Sequence, residues 1–309
     1  MTALQGQLIA SPRVPGNRLG FSGHETFAFR YGWLKKAVDA VRGDPQALSG
    51  DQAVVDLGVG KNMVQSIRHW GLATQVLQEG AARTLEVSPL GSALLEEWDP
   101  YLEDVASLWL VHWWLVNNPV RAAVWHLAFT RFSSPDFNKL QLLAFLTEVK
   151  ERGELRVQES SLSRDVDCFV RCYVVSRGAE KGLMEDSFDC PLSELGLLYG
   201  LKDGDGYRFA VGPKPGLPAE LVGYALLEHM AHARQGRNSI AFSECLYGLG
   251  SPGQVFKLDE NTLVEHLEAL EEITEGALEF DDTAGLRQVY RRREVEGEGL
   301  LRRYYGGRA

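Results

Sequence analysis

The fold is decided by residues 51–70, which read DQAVVDLGVGKNMVQSIRHW. Asp51 is a favourable N-cap for a short helix with an apolar face, and the two glycines in residues 58–60 interrupt that helix because glycine tolerates positive φ. A second helix is predicted from residue 62, and its apolar side chains recur at helical spacing: Met63, Ile67 and Trp70. Two helices joined by a glycine turn predict a helix-turn-helix.

The opposite face of the second helix is polar, which is typical of a helix that reads bases in the DNA major groove. This face is predicted to carry Asn62, Gln65, Ser66 and His69, with Lys61 and Arg68 at its edges. A preceding helix is predicted at residues 29–40 and adds two lysines. The candidate DNA-binding residues are Lys35, Lys36, Lys61, Asn62, Gln65, Arg68 and His69. The alternative is a helical hairpin whose polar face is only solvated.

The residues after the second helix predict a wing. Residues 84–87 alternate as a short strand, and Ser88 followed by Pro89 is typical of a helix start. Helix, turn, helix, strand and closing helix is the order of a winged-helix domain. The predicted fold class is mainly α, with a winged helix-turn-helix domain followed by a helical region and further winged-helix-like units. Because many winged helices contact only proteins, DNA contact stays a prediction.

Four segments are predicted along the chain, with bounds at residues 1–26, 27–100, 101–188 and 189–309. They are a lead-in that ends in a His-Glu motif, the winged helix-turn-helix domain, a helical domain, and a C-terminal winged-helix-like domain. The helical domain is rich in aromatic residues, which predicts a buried interhelical core containing hydrogen-bonded histidines. The C-terminal domain is predicted to have a helix at residues 192–201 and an arginine-rich tail. The tail either lies on phosphates or, as the glutamates beside it favour, is a solvated end.

Charge and composition restrict the function. The 309-residue chain is 45% hydrophobic, as globular proteins are, and its net charge of −10 argues against an indiscriminate nucleic-acid binder. Residues 1–90 hold 9 Lys/Arg against 7 Asp/Glu, whereas the other residues hold 23 against 35, so DNA reading is expected in the N-terminal part. No apolar run has the length of a membrane span, and the four cysteines have no metal-ligand or disulfide spacing. We therefore expect a reduced cytoplasmic protein with no membrane partner.

A second group of candidate residues lies in and after residues 21–27, FSGHETF. His24 and Glu25 form a pair able to bind a divalent metal or move a proton, and Arg30 with the lysines that follow is suited to hold a phosphate. His24, Glu25 and Arg30 are therefore the candidate catalytic residues. Against this, adjacent residues point apart, and a metal site generally needs a third ligand. The alternative is structural, with Glu25 capping the next helix.

Two motifs resemble a known bacterial family. They are residues 21–27 with residues 30–36, RYGWLKK, and residues 57–64, LGVGKNMV, with Ile67 and Arg68. Residues 251–256, SPGQVF, also resemble the C-terminal part of that family, so the resemblance spans nearly the whole chain. The family has long been labelled only as a domain of unknown function, and it includes the SspB subunit of single-strand DNA phosphorothioation systems.

The resemblance implies a component of a bacterial DNA sulfur-modification and anti-phage system. The family member is a DNA nickase, and hydrolytic nicking implies Mg²⁺ or Mn²⁺ to stabilise charge on the phosphate. The implied partners are DNA, a cysteine desulfurase, and ATP-using sulfur-transfer and ATPase subunits. A non-catalytic DNA-binding adaptor is the alternative, because no nuclease carboxylate cluster is recognisable. A transcriptional regulator is a third possibility, since one winged helix would serve it equally well.

Overall fold

The structure of the chain, a computed structural model, describes residues 19–153, 157–175, 190–202, 204–233, 238–283 and 285–307. Residues 1–18 of the predicted lead-in and residues 176–188 of the predicted helical domain lie outside the described residues. The described chain is mainly helical, and its short strands form three small antiparallel sheets. The expectation of a mainly α fold is confirmed.

The N-terminal part contains two helices joined by a glycine turn. Its elements are α1 (Trp33–Gly43), α2 (Gln52–Leu57), α3 (Lys61–Ala73), β1 (Leu77–Glu79), β2 (Leu85–Val87) and α4 (Pro89–Ser92), which continues as a π-helical segment (Ala93–Trp98). α2 ends where Gly58 adopts a left-handed φ of 63°, whereas Gly60 has an ordinary φ of −64°. Ser88 caps α4 by accepting a hydrogen bond from the amide of Gly91, as predicted.

The rest of the described chain contains two units of the same topology. The middle unit consists of α5 (Val105–Val116), α6 (Ala123–Thr130), β3 (Asp136–Asn138), α7 (Lys139–Glu151), α8 (Glu159–Tyr173), a 3₁₀ helix (Pro191–Leu195), β4 (Leu198–Gly200) and β5 (Gly206–Phe209). The C-terminal unit consists of α9 (Ala219–Ala233), β6 (Ser239–Ala241), α10 (Phe242–Tyr247), α11 (Pro252–Val255), α12 (Glu260–Ile273), β7 (Leu278–Thr283), β8 (Leu286–Arg291) and α13 (Gly297–Gly306). The sheet orders are β3-β5-β4 and β6-β8-β7, so the last strand is central in both units.

Some element boundaries differ from the sequence-based expectation. The helix predicted from residue 29 begins at Trp33, because Gly32 immediately before it has a left-handed φ of 73°. The helix predicted at residues 192–201 is wrong, since Gly196 with φ 58° ends the 3₁₀ helix and Leu198 then pairs with Phe209. β3 was not predicted, because three residues are too few for a period-two pattern. It pairs with β5, so one sheet contains residues from both sides of the domain boundary that was predicted after residue 188.

The core is aromatic, as predicted for the helical region. The buried aromatic side chains include Trp109, Trp113, Trp114, Trp125, Phe129 and Phe137. His112 lies among them, with Nε2 2.9 Å from the carbonyl oxygen of Val255 and Nδ1 2.8 Å from the hydroxyl of Tyr173. Burial lowers the pKa of His112 to about 3, so the neutral ring donates from Nε2 and accepts at Nδ1. The prediction of a hydrogen-bonded core histidine is confirmed.

The described arginines of the predicted tail lie on β8, on α13 or between them, and Arg292, Arg293, Arg302 and Arg303 are exposed to solvent, as predicted. Arg287 on β8 forms an ion pair with Glu260 at 3.3 Å, and its guanidinium lies 3.9 Å from the ring centre of Phe242. Arg303 on α13 donates a 2.8 Å hydrogen bond to the carbonyl of Ile273, and α13 packs against α9. These arginines bind to the C-terminal unit itself, because strand and helix formation brings acceptors within their reach.

Candidate functional site

The site begins with a strained turn formed by residues 22–27, which precedes α1. Ser22, Glu25 and Thr26 have left-handed φ values of 61°, 45° and 66°, and Gly23 has φ 94°. For residues other than glycine this conformation costs on the order of 1 kcal/mol each, and it persists only where surrounding contacts enforce it. Such strain is concentrated at functional sites more often than elsewhere. The residues that hold this turn are therefore a candidate functional site.

His24 is the buried anchor of the turn. Its side chain is 2% exposed, and its Nε2 lies 2.9 Å from Oδ1 of Asp165 on α8. Its Nδ1 accepts a hydrogen bond from the amide of Thr26 at 3.1 Å, so in a neutral ring the proton sits on Nε2 and is donated to the carboxylate. Asp165 also accepts from the amide of Ser22, at 2.9 and 3.2 Å to its two oxygens. The pair therefore closes both ends of the turn.

The turn joins α3 to α8 through its carbonyl groups. From α3, the hydroxyl of Ser66 donates to the carbonyl of His24 at 2.6 Å, and the indole of Trp70 donates to the carbonyl of Phe27 at 3.2 Å. From α8, the thiol of Cys168 donates to the same Phe27 carbonyl at 3.4 Å, and Arg171 donates to the carbonyl of Thr26. Hydrogen bonds to both helices make the turn a rigid connection between them.

His69 on α3 completes the buried cluster and corrects a prediction. The expectation that Ser66 and His69 lie on the exposed face of α3 is wrong, because the turn covers both side chains. The His69 ring lies 5.8 Å from the ring of His24, and a Cβ on Gly23 would lie 2.7 Å from its Nδ1. Burial, followed by electrostatic interaction with His24 and Arg121, lowers the pKa of His69 to about 3. A neutral, covered ring is poorly placed to contact DNA directly.

The three candidate catalytic residues are not gathered in one place. Glu25 is exposed, whereas the neighbouring side chain of His24 is buried against Asp165. The guanidinium of Arg30 lies over the rings of Phe27 and Trp33, at 5.6 and 5.5 Å from their centres. Within the described ranges no group of three or more His, Cys, Asp or Glu side chains is placed to hold a metal ion. His24 and Glu25 therefore do not fit a preformed metal site, and their chemical role stays a prediction.

The exposed face of α3 lies in its first two turns. Lys61, Asn62 and Gln65 are exposed, Arg68 is half-buried, and the other side is anchored by Ile67. Lys61 is 73% exposed and lies 3.4 Å from Asp51, a weak surface pair. On α1, Lys36 is exposed and Lys35 pairs with Asp39 one turn further on. Six of the seven candidate DNA-binding residues thus reach the surface at least in part.

Sequence reasoning missed Asp165 and Arg171, which bind the turn. His24 and Asp165 are 141 positions apart, and nothing in their local patterns links them. The one sequence signal for a buried pair was the carboxylate of Asp165, which falls on the predicted apolar side of α8. Asp165 lies next to Val166 and four residues before Phe169, where a charged residue is buried only with a partner.

The chain is similar to a protein family and to solved structures over most of its length. Residues 21–305 match a family described as protein of unknown function, DUF4007. A magnesium-ion-bound SspB crystal structure is similar at a TM-score of 0.83 and 31% identity, over 93% of this chain and 88% of that chain. A second SspB crystal structure gives a TM-score of 0.82, with the same identity and coverage. No match was found among curated proteins.

None of the described helices is both long and apolar enough to cross a membrane. All four cysteines are free and buried. The family match covers nearly the whole chain and includes the strained turn, α3 and the C-terminal unit. This chain belongs to the DUF4007 family.

Proposed function

We propose that this chain is the DNA-binding subunit of a bacterial DNA phosphorothioation system, and that α3 is its reading helix. The observation that carries the proposal is the surface of α3, whose first two turns expose Lys61, Asn62 and Gln65 beside the half-buried Arg68. In helix-turn-helix proteins the N-terminal residues of the second helix reach the base edges. Amide side chains pair with adenine and guanidinium groups with guanine, so this set can read sequence.

The element order supports a winged-helix interpretation of all three units. α1, α2, α3 and the β1–β2 hairpin have the order of such a domain, and the middle and C-terminal units each add a strand to their hairpin. The helix before the hairpin is α3, α8 or α12. α12 exposes Glu260, Glu265 and Glu268, which would repel phosphates. The acidic surface of α12 therefore disfavours that helix, and we assign α3 to the groove.

A direct binding measurement tests the proposal. Gln65→Ala and Arg68→Ala should each weaken binding to a labelled duplex by on the order of 1–3 kcal/mol, without changing the melting temperature. Arg302→Ala is the matched control, because Arg302 is an exposed helical arginine whose only described ion pair is with Glu298 four residues before it. Affinities equal to those of the unaltered chain across a salt series would remove α3 from the interface.

Nicking is the second candidate function, and a specific observation favours it. One of the similar SspB structures contains a magnesium ion. Mg²⁺ is often held by one or two carboxylates and by water or substrate phosphates, so a substrate-assembled site requires no preformed cluster. In that case the exposed Glu25 is the better candidate ligand, and His24 acts by holding the turn. Conversion of supercoiled plasmid to open circle with Mg²⁺, Mn²⁺ or EDTA separates a nickase from a non-catalytic adaptor.

The proposed system also defines partners. A cysteine desulfurase and ATP-using sulfur-transfer and ATPase subunits would act in the cytoplasm on the DNA that this chain binds. The exposed glutamates of α12 are suited to a basic protein surface, since complementary charge orients and accelerates docking. We therefore assign DNA to the N-terminal part and a protein partner to the C-terminal unit. Pull-downs of each subunit with the intact chain, with and without DNA, test this division.

A further inference from the structure

A cavity of about 310 Å³ lies beside the strained turn, and none of the exposed residues of α3 lines it. It is lined by Thr26 of the turn, Lys139 at the start of α7, and Arg164, Asp167 and Arg171 of α8. We propose that this cavity binds a phosphate group. Its lining has three cationic side chains and one carboxylate, in a chain whose net charge is −10. A local excess of positive charge within an acidic protein favours an anionic ligand.

The ion pairs within the cavity leave two arginines for the ligand. Nζ of Lys139 lies 2.7 Å from Oδ1 of Asp167, so the single lining carboxylate is engaged by the lysine. In the ion pairs of the described residues, neither Arg164 nor Arg171 has a carboxylate partner. Arg164 instead donates to oxygens on its own helix, at 3.2 and 3.4 Å, and Arg171 donates to the carbonyl of Thr26.

The arrangement of these arginines fits a phosphate. Arg164, Asp167 and Arg171 are spaced three and four residues apart, so they share one face of α8. A guanidinium presents several donors in a planar fork that matches phosphate oxygens, and two such groups beside one cavity can bind different oxygens of one phosphate. Asp167 and Lys139 are 50% and 42% exposed, so the cavity is open to a ligand from solvent.

The position of the cavity indicates where the phosphate comes from. Arg171 lines the cavity and also binds the turn, which in addition accepts hydrogen bonds from Ser66 and Trp70 of α3. The ligand we assign is therefore a backbone phosphodiester of the duplex bound by α3, an assignment that rests on the proposed function. Free inorganic phosphate has the same oxyanion chemistry, and the experiment below distinguishes the two sources.

The test uses the intact chain and two variants that remove opposite charges from the cavity lining. Arg164→Gln removes one cation and should reduce the slope of log affinity for duplex against log salt by about one contact, that is by roughly 0.9. Asp167→Asn removes the only lining carboxylate and should strengthen binding of both duplex and inorganic phosphate by roughly threefold. A gain of affinity cannot result from misfolding. Arg302 is not among the lining residues, so Arg302→Gln is the charge control and should leave the affinities for duplex and for inorganic phosphate unchanged.

Each outcome separates this inference from the proposed function. If the chain binds duplex and both variants leave the salt slope and affinities unchanged, the cavity assignment is overturned and the proposed function stands. If the chain fails to bind duplex but binds inorganic phosphate in a manner that Arg164→Gln weakens, DNA binding is overturned and the cavity is a site for free phosphate. If neither ligand responds to the variants, the cavity is not a phosphate site. Arg171→Lys keeps the positive charge but loses the planar guanidinium fork. It should weaken duplex binding and leave the slope of log affinity against log salt unchanged.

Discussion

The decisive perturbation is removal of the His24 side chain, because the two interpretations of the His-Glu motif predict different results. His24→Ala deletes the buried hydrogen bond from Nε2 to Asp165 and leaves the Thr26 amide without its acceptor in a partly buried environment. It also removes a ring that stacks on Trp70 at 6.3 Å. An unsatisfied buried partner costs about 1–3 kcal/mol and a partly buried one less, so a combined loss of ~3 kcal/mol in the free energy of unfolding is expected.

That loss is measurable in a protein of this size. At roughly 2 °C per kcal/mol for larger domains, ~3 kcal/mol lowers the melting temperature by about 6 °C. Glu25 is exposed, so Glu25→Gln should change the free energy of unfolding by no more than about 0.5 kcal/mol. Thermal and urea unfolding, read by circular dichroism, measure both. Asp165→Asn with His24→Ala completes a double-mutant cycle, which should give a coupling free energy of about 1 kcal/mol or more.

Plasmid nicking measured on the same variants provides the refutation. A His24→Ala protein as stable as the unaltered chain but unable to nick would mean that His24 acts on the substrate, and the structural argument would fail. A destabilised His24→Ala protein with a stable, inactive Glu25→Gln protein would place the chemistry at Glu25. Stable variants that nick fully would remove the motif from both roles.

Three further predictions follow from the charges of the fold. Lys61→Ala should reduce the salt slope of duplex binding by roughly 0.9 in a fluorescence-anisotropy titration, and an unchanged slope would remove Lys61 from the phosphate contacts. His69 and His112, with pKa lowered to about 3 by burial, take up protons on unfolding below their ordinary pKa of 6.5. The free energy of unfolding is therefore highest above pH 6.5 and falls by ~2 kcal/mol per histidine from pH 7 to 5. Equal urea midpoints at these two pH values would contradict this prediction. Binding by the isolated chain should be weak and strengthened by a partner subunit, and Glu265→Lys should weaken that partner's pull-down without weakening duplex binding.

The sequence predicted the elements whose signals are local. The Gly58 turn, the Ser88 cap and the inward spacing of Ile67 and Trp70 depend on neighbours within one or two helical turns, and the structure contains all of them. The sheet pairing of β3 with β5 depends on residues about 70 positions apart, and no local pattern encodes it. For that reason the mainly α class was predictable and the sheet of the middle unit was not.

The error at His69 has the same origin. Helical periodicity divides a helix into an apolar and a polar side, and Ser66 and His69 fall on the polar side of α3. The period carries no information about a polar segment from elsewhere in the chain that packs on that side. Here the turn covers both residues, and Ser66 satisfies a turn carbonyl rather than meeting solvent. Buried polar side chains with distant partners are therefore the positions that one-sequence reasoning misplaces.

The repeated topology gives the turn its significance. Among the described elements, α3, α8 and α12 are the last α-helices before the three hairpins, and surface charge distinguishes α3 from the acidic α12. α8 is intermediate, because its arginines line a cavity while Asp165 holds His24. A strained turn with hydrogen bonds to both α3 and α8 fixes the two helices relative to each other. A ligand bound by both would then meet a preorganised surface, so loosening the turn should weaken binding even where no contact residue is altered.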